Sequence, residues 1–188
     1  MPRPRRLLLE DQPAVYHVMS KTCLSGLPLD AVEKDHFVSV LKRFAAIYFA
    51  EIIGFCVMGN HFHLLVRMPP AESISHGALL KRYQSVFKVK NEPDIAYLNE
   101  YRQKWTSLSA FIKDIKQTFS RGYNKRHGRD GTFWSDRFKS VIVQDGRTLV
   151  NCLAYIDLNP IRAGIAKRPE EYRWCSLGYH LQSSNANR

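Results

Sequence analysis

Residues 51–67 read EIIGFCVMGNHFHLLVR, two apolar runs on either side of Gly59-Asn60. A two-residue turn of this composition between β-forming runs is typical of an antiparallel hairpin. We therefore predict one strand over Glu51 to Met58 and a second over His61 to Arg67. Because neighbouring side chains of a strand alternate between faces, the two histidines of the second strand point together, and Phe62 points the other way.

Further elements are predicted on both sides of this hairpin. They are a strand over Tyr16 to Thr22, a helix capped by Asp30 that ends near Phe49, a helix over Ile74 to about Lys90, a helix capped by Ser107 or Ser109 that ends at Gly128, a strand over Ser140 to Gln144, and a last helix that Asp145 caps and Pro160 stops. This order predicts an α+β fold with a ferredoxin-like (split βαβ) antiparallel sheet, packed helices and an added C-terminal helix.

The length favours a single domain, which we assign to residues 1–182. Residues 70–106 are interpreted as a helical insertion, whose polar second part, Asn91 to Trp105, is expected to be an irregular loop. Residues 183–188 are expected to form a disordered tail.

The balance of charge points to a polyanionic partner. Lys and Arg number 28 against 17 acidic residues, which gives a formal net charge of +11 and a pI of about 9.7. Nucleic acid is the first candidate, although charge alone does not separate DNA from RNA or from an anionic membrane.

The four cysteines are scattered and form no CxxC pair, which argues against a zinc ribbon or a disulfide framework. A reduced, cytoplasmic protein is expected. The apolar run at Leu7 to Leu9 is too short for a signal peptide, and the longest apolar stretch, Phe44 to Met58, is interrupted by Glu51. No membrane segment is predicted.

His61 and His63 are candidate metal ligands. Two imidazoles on one face of a strand can supply two nitrogen ligands to a divalent cation and leave its remaining positions open for a substrate phosphate. Two histidines at this spacing also occur by chance, so the pair needs support from further ligands.

The last predicted helix offers such support, because Tyr155 and Asn159 are four residues apart and share one face. An amide oxygen suits a hard cation, and a neighbouring phenol could reach a phosphate bound to that cation. The alternatives are that Tyr155 packs with its hydroxyl at the surface and that Asn159 forms a helix-ending turn before Pro160.

Taken together, the motifs resemble the REP-associated tyrosine transposases, relatives of the bacterial insertion-sequence transposases that use a single catalytic tyrosine. The similar segments are Met1-Pro2-Arg3-Pro4-Arg5, Tyr16-His17-Val18, Gly59 to Val66, Asn124 to Arg129 with Trp134 and Arg137-Phe138, and Tyr155 to Gly164. Two features depart from the family: Gly59 stands where proline is commoner, and the stretch from Asn91 to Trp105 has no clear counterpart.

The resemblance implies an enzyme of DNA transposition and recombination, a single-tyrosine HUH transposase with endonuclease activity. His61 and His63 correspond to the metal ligands of its HUH motif, Tyr155 to the nucleophile and Asn159 to a further metal-site residue. The implied cofactor is a divalent Mg or Mn ion, and the implied substrate is single-stranded or hairpin DNA of the REP type, cleaved and rejoined through a 5′-phosphotyrosine. Monomer and homodimer both stay open.

Two assignments compete with this picture. Tyr123 also lies among basic residues, but it continues the apolar stripe Phe111, Ile115, Phe119, so we interpret it as core. The group that deprotonates Tyr155 is left open between a metal-bound water, Asp157 and His127.

DNA binding is assigned to basic and aromatic residues downstream of the hairpin. The basic candidates for phosphate contacts are Arg121, Lys125, Arg126, Arg129, Arg137 and Lys139, and Trp134 or Phe133 are candidates for stacking on unpaired bases. A solvated helix face and aromatic packing under a loop are the alternatives. Two rival functions also remain at this point: a non-catalytic protein that binds structured nucleic acid, and a metal-dependent phosphodiesterase that uses water.

Overall fold

A four-stranded antiparallel sheet organises the protein, whose computed structural model describes residues 8, 9 and 11–185. The strands are β1 (Ala14–Lys21), β2 (Glu51–Val57), β3 (His61–Met68) and β4 (Lys139–Val143), in the order β2-β3-β1-β4. All neighbouring strands are antiparallel. The predicted hairpin and the predicted ferredoxin-like α+β arrangement are therefore confirmed. Met1 to Arg5, part of the resemblance, lies outside the described residues.

Helices α1 (Ala31–Ile47) and α4 (Leu108–Arg126) cover one face of the sheet. As predicted, α1 begins at Asp30, whose carboxylate accepts a hydrogen bond from the Glu33 amide, and α4 begins at Ser107. Aromatic side chains from the helices and from Phe62 meet here in the main core. Burial of each such ring contributes about 1.5–3 kcal/mol to folding.

Helices α2 (His76–Phe87) and α3 (Ile95–Trp105) lie between β3 and α4 along the chain, within residues 70–106. The prediction of an irregular loop over Asn91 to Trp105 is wrong. The side chain of Asp94 caps α3, and Leu98 and Trp105 are buried against the core while polar residues occupy the exposed side. A helix with a narrow apolar stripe looks polar when only its composition is considered.

The other face of the sheet carries α5 (Arg147–Asp157). Ile156 from α5 packs with Leu65 and Cys56 of the sheet and with Tyr172 and Cys175 from the C-terminal segment. This second, smaller core fixes α5 against β2 and β3. The helix that carries Tyr155 is thereby held on the same sheet face as the two histidines of β3.

The predicted ends of α5 need correction. Asp145 does not cap the helix; the cap position is Gly146, whose φ of 74° favours glycine, and the carboxylate of Asp145 lies 3.8 Å from the Arg67 guanidinium instead. The helix ends at Asp157 before it reaches Pro160, which lies in the first turn of the short helix α6 (Asn159–Arg162). Proline fits there because its missing N–H would have no partner within the helix.

A final helix, α7 (Ser176–Asn185), follows, so α5 is not the last helix of the chain. It runs into the predicted disordered tail, and the rest of that tail lies outside the described residues. Among the helices that the structure describes, none is long and apolar enough to cross a membrane.

Candidate active site

His61 and His63 project from β3 on the face that α5 covers. Their ring centroids are 5.1 Å apart, with the planes nearly perpendicular. His63 is buried, at 3% exposure, and His61 is half-buried near the end of the strand. Phe62 packs into the core on the opposite face. The prediction that the two imidazoles point together is confirmed.

A third histidine, His17 of β1, joins the pair. The centroids of its ring and of the His63 ring are 5.1 Å apart, and the two planes are inclined by 25°. The Nε2 atom of His17 and the Nδ1 atom of His63 are 2.9 Å apart, which is a hydrogen bond. His17 is not among the site residues predicted from the sequence. In the sequence it is a polar residue between Tyr16 and Val18, both of which are buried in the core. Its position beside His63 follows only from the register of β1 and β3.

Each histidine of β3 has a partner at Nδ1. The Nδ1 atom of His61 lies 2.7 Å from the side-chain oxygen of Asn60, and that of His63 bonds to His17. An amide oxygen only accepts hydrogen bonds, so His61 carries its proton on Nδ1. Its Nε2 atom is therefore unprotonated, which is the form that binds a metal ion.

Burial keeps these imidazoles neutral. Burial is the largest cause and, together with the nearby His61 and His17, lowers the pKa of His63 to about 3. Burial also lowers the pKa of His17, and that of His61 together with the positive charge of Lys21. Neutral imidazole is the state required of a metal ligand at neutral pH.

Tyr155 of α5 lies directly over this group. The centroid of its ring is 5.9 Å from that of His63 and 6.0 Å from that of His17, and both contacts are edge-on. The residue is 41% exposed, so a large substrate could reach its hydroxyl. The guanidinium carbon of Arg162 in α6 lies 4.8 Å from the centroid of the Tyr155 ring. The structure thus brings together a reachable phenol, the histidine pair and a permanent cation.

Asn159 lies one turn after Tyr155, at the start of α6. Its side-chain nitrogen donates to the carbonyl oxygens of Tyr155, at 2.9 Å, and of Ile156, at 3.3 Å. These hydrogen bonds agree with the alternative prediction that Asn159 forms a helix-ending turn before Pro160. Both use the amide nitrogen, so Oδ1 is the atom with which Asn159 could bind a cation. Its metal role stays a prediction.

The donor set is limited. Over the residues that the structure describes, no group of three or more His, Cys, Asp or Glu side chains could hold a metal ion. Two imidazole nitrogens and one amide oxygen would leave several positions of a divalent cation open. That suits a cation that must also contact a substrate phosphate.

Neither protein candidate for the general base lies beside Tyr155. Asp157 accepts hydrogen bonds from the Ser176 hydroxyl, at 2.8 Å, and from the Leu177 amide, at the start of α7. His127 bonds to Glu33 of α1, across the sheet from α5, and stacks on Tyr123. Tyr123 itself is 6% exposed, so its assignment to the core is confirmed.

The predicted DNA-binding residues divide into three groups. Arg121, Lys125 and Arg129 line one surface pocket beside α4. Arg137 and Lys139 are exposed, and Lys139 pairs with Met19 of β1, which places it on the sheet face of the histidines. These five residues remain candidates for phosphate contacts.

Arg126 and Trp134 form the third group, and the structure gives them other roles. The Arg126 guanidinium makes two hydrogen bonds to the buried carboxylate of Glu33, which neutralises its charge. Trp134 is 7% exposed, and its indole N–H donates to the Lys116 carbonyl oxygen at 3.1 Å. With Phe133 buried as well, neither ring is available to stack on a base.

Comparisons with known proteins agree with this architecture. Residues 13–97, which include both histidines of β3 but end before Tyr155, match the model of a family described as transposase, IS200-like. A Haemophilus influenzae protein assigned as a REP-associated tyrosine transposase is 21% identical over 143 residues, which are 76% of this chain and 68% of that protein.

Two solved structures were also matched. One is a REP-associated tyrosine transposase bound to a REP hairpin; it is 14% identical, with a TM-score of 0.66 over 97% of this chain and 86% of that one. The other is a transposase from Deinococcus radiodurans R1, 15% identical, with a TM-score of 0.41 over 84% of this chain and 96% of that one. The first match shows a shared fold, and with the sequence matches it confirms the predicted resemblance.

Proposed function

We propose that this chain cleaves and rejoins single-stranded hairpin DNA with Tyr155 as its nucleophile, a proposal supported by its matches to an IS200-like transposase model and to a REP-associated tyrosine transposase. The observation that carries this proposal is the edge contact between Tyr155 and His63, at 5.9 Å. It places an exposed phenol beside a histidine pair that lies within residues 13–97, the part of the chain that the family model matches. A phosphodiesterase that uses water would need no tyrosine at this position.

In the proposed reaction, the Tyr155 oxygen forms a bond to the phosphorus of a phosphodiester and the bond to the 3′ oxygen breaks. The phenol loses its proton, and the departing 3′ oxygen takes one up. The products are a 5′-phosphotyrosine and a free 3′ hydroxyl. Because the phosphodiester is replaced by another phosphodiester, the reverse attack can join a new 3′ end without a nucleotide cofactor.

The residues of the site fit a divalent Mg or Mn ion. The Nε2 atoms of His61 and His63 and the Oδ1 atom of Asn159 would hold it, since the other polar atoms of these side chains already have partners. When bound, such an ion supplies positive charge that offsets the phosphate. Arg162, beside the Tyr155 ring, supplies a second positive charge from the chain itself.

The hairpin substrate is proposed from charge and from the related structure. The solved transposase of the same fold is bound to a REP hairpin. Here the pocket lined by Arg121, Lys125 and Arg129 presents three cations against one carboxylate, Asp130, and this excess of positive charge suits a phosphate backbone. Lys21 and Lys139 add positive charge on the face of the histidines.

The test uses end-labelled DNA and the full chain. A pool of single-stranded hairpins with randomised flanks is incubated with the protein and Mn²⁺, and label is sought on denatured protein. A 5′-phosphotyrosine retains the downstream fragment, so the 3′ label should stay on the protein and the 5′ label should not. The adduct should vanish in Tyr155→Phe and persist in the matched control Tyr123→Phe. Cleavage without an adduct, or an adduct that survives in Tyr155→Phe, contradicts the proposal.

A further inference from the structure

We propose that His17 is a positioning residue that accepts a hydrogen bond from Nδ1 of His63 and thereby directs Nε2 of His63 to the metal ion. This inference rests on the proposed metal role of His63. It is carried by the 2.9 Å separation of His17 Nε2 and His63 Nδ1 and by the small angle, 25°, between the two ring planes. His17 is thus assigned a role through His63 and not as a metal ligand.

The direction of this hydrogen bond decides what His63 can do. One of the two nitrogens must carry the proton, and a neutral imidazole has only one N–H. If His17 donated, the remaining proton of His63 would be on Nε2, which could then not bind a cation. If His63 donates, its Nε2 atom keeps a free lone pair. Only the second arrangement gives a metal-binding pair together with His61.

Asn60 provides a parallel within the same site. Its side-chain oxygen accepts from Nδ1 of His61, at 2.7 Å, and leaves Nε2 of that ring as the ligand atom. His17 occupies the equivalent place for His63, with an imidazole nitrogen in place of an amide oxygen. Partners of this kind fix the tautomer and ring orientation of ligand histidines in metal sites generally.

The surrounding structure holds His17 in place. It lies on β1, which pairs with β3 on one side and β4 on the other, opposite Leu65 and Val141. The edge of its ring meets Tyr155 at 6.0 Å. Because β1 is paired on both sides, the backbone that carries His17 is held beside His63, and a turn of the His63 ring would break their hydrogen bond.

A direct test is nitrogen NMR on the full chain with ¹⁵N-labelled histidine, in the absence of metal. The His63 signals are identified by their loss in His63→Gln. The proposal predicts a proton on Nδ1 of His63 and an unprotonated Nε2. A proton on Nε2 would overturn it. This measurement needs no change at His17, so it does not depend on how well a variant folds.

Variants supply the second test, with Mn²⁺ affinity measured by electron paramagnetic resonance of the free ion. His17→Phe keeps a ring but removes the acceptor, so Mn²⁺ binding should weaken by roughly 10- to 100-fold, the usual effect of losing such a partner. His17→Gln restores an amide acceptor, as at Asn60, and should bind within a few-fold of wild type. Equal affinity in His17→Phe and wild type, or equal weakness of both variants, would refute the proposal.

Failure of the proposed function gives a different result. If His61 and His63 hold no metal ion, the wild-type protein itself takes up no Mn²⁺, whatever the tautomer of His63. If the metal site exists but His17 does not position His63, wild type still binds Mn²⁺. In that case His17→Phe and His17→Gln bind Mn²⁺ with equal affinity.

Discussion

The ring of Tyr155 meets the ring of His63 edge-on, with centroids 5.9 Å apart and planes at 89°. This contact joins α5 to β3, and it depends on how closely the helix approaches the sheet. The two elements approach closely at Gly54 of β2, where an added Cβ would lie 2.3 Å from Cδ1 of Leu153 and 3.2 Å from the Ser176 hydroxyl. Glycine at this position allows α5 to reach the sheet.

Gly54→Ala should therefore displace α5 and reduce phosphotyrosine formation together with stability. Overpacking of this kind costs about 1–3 kcal/mol, which urea unfolding would measure. Leu153→Ala removes Cδ1, the atom with which the added Cβ would clash. The double variant should therefore lose less stability than the sum of the losses in the two single variants. Strict additivity of the two losses would show that Gly54 and Leu153 do not limit the approach of the helix.

Arg162 should contribute to the reaction more than to binding. Its guanidinium lies 4.8 Å from the Tyr155 ring centroid, where it can offset charge that develops during attack. Arg162→Met should slow adduct formation by roughly 100-fold at saturating DNA, the lower end of the effect of losing one preorganised donor to a developing charge. The matched control is Arg147→Met, which removes an exposed positive charge at the start of α5. Equal rates of adduct formation in the two variants would show that Arg162 does not assist the attack by Tyr155.

Glu33 should be important for stability although it is far from Tyr155. Its side chain is 2% exposed and pairs with Arg126, at the end of α4, and with the neighbouring His127. Glu33→Gln leaves Arg126 without its buried counter-charge, which should cost roughly 2 kcal/mol, below the range for fully buried pairs because Arg126 reaches water. Urea unfolding would measure the loss, and exposed Glu72→Gln is the control.

The effect of Glu33 should depend on pH. Burial on its own raises the pKa of Glu33, but the hydrogen bonds and charges of Arg126 and His127 outweigh it and hold the pKa below its ordinary value of 4.5. The ionised group therefore stabilises the fold above that value, and the contribution is lost as pH falls through the lowered pKa of the folded state. The stability gap between wild type and Glu33→Gln should be constant near neutral pH and shrink below about pH 4. A gap that widens on acidification would contradict this account.

Lys125 should bind phosphate without reading sequence. With Arg121 and Arg129 it lines one surface pocket, and it is exposed. Lys125→Gln should weaken hairpin binding and lower the slope of log affinity against log salt by about 0.7–0.9. Lys113→Gln is the matched control, since Lys113 is exposed on the same helix but lies outside the pocket. Identical slopes for the two variants would remove this pocket from the DNA interface.

Local signals in the sequence predicted most of the elements. The turn at Gly59-Asn60 and the caps Asp30 and Ser107 act within a few residues of themselves, so their effects can be inferred without tertiary structure. Strand alternation likewise predicted that His61 and His63 face together. The cap position of α5 is Gly146 and not the predicted Asp145, because the backbone there has a positive φ. The residue types around Asp145 do not indicate that φ.

The missed features depend on contacts between distant parts of the chain. His17 reaches His63 only through the register of β1 and β3, and Arg126 finds Glu33 across 93 residues. The sequence shows a histidine and a basic residue in each case but not their partners. For this reason Arg126 was assigned to DNA and Trp134 to base stacking, whereas folding places one in an ion pair and the other in the core.

Mass spectrometry can locate the DNA attachment and so test directly whether Tyr155 is the nucleophile. The adduct is digested with nuclease and trypsin, which releases Thr148 to Arg162, with Tyr155 as its sole tyrosine, separately from Gly122 to Lys125, which carries Tyr123. If Tyr155 is the nucleophile, the first peptide should carry a nucleotide remnant on Tyr155. A remnant on Tyr123 or on another residue, or cleaved DNA with no modified peptide, would contradict it.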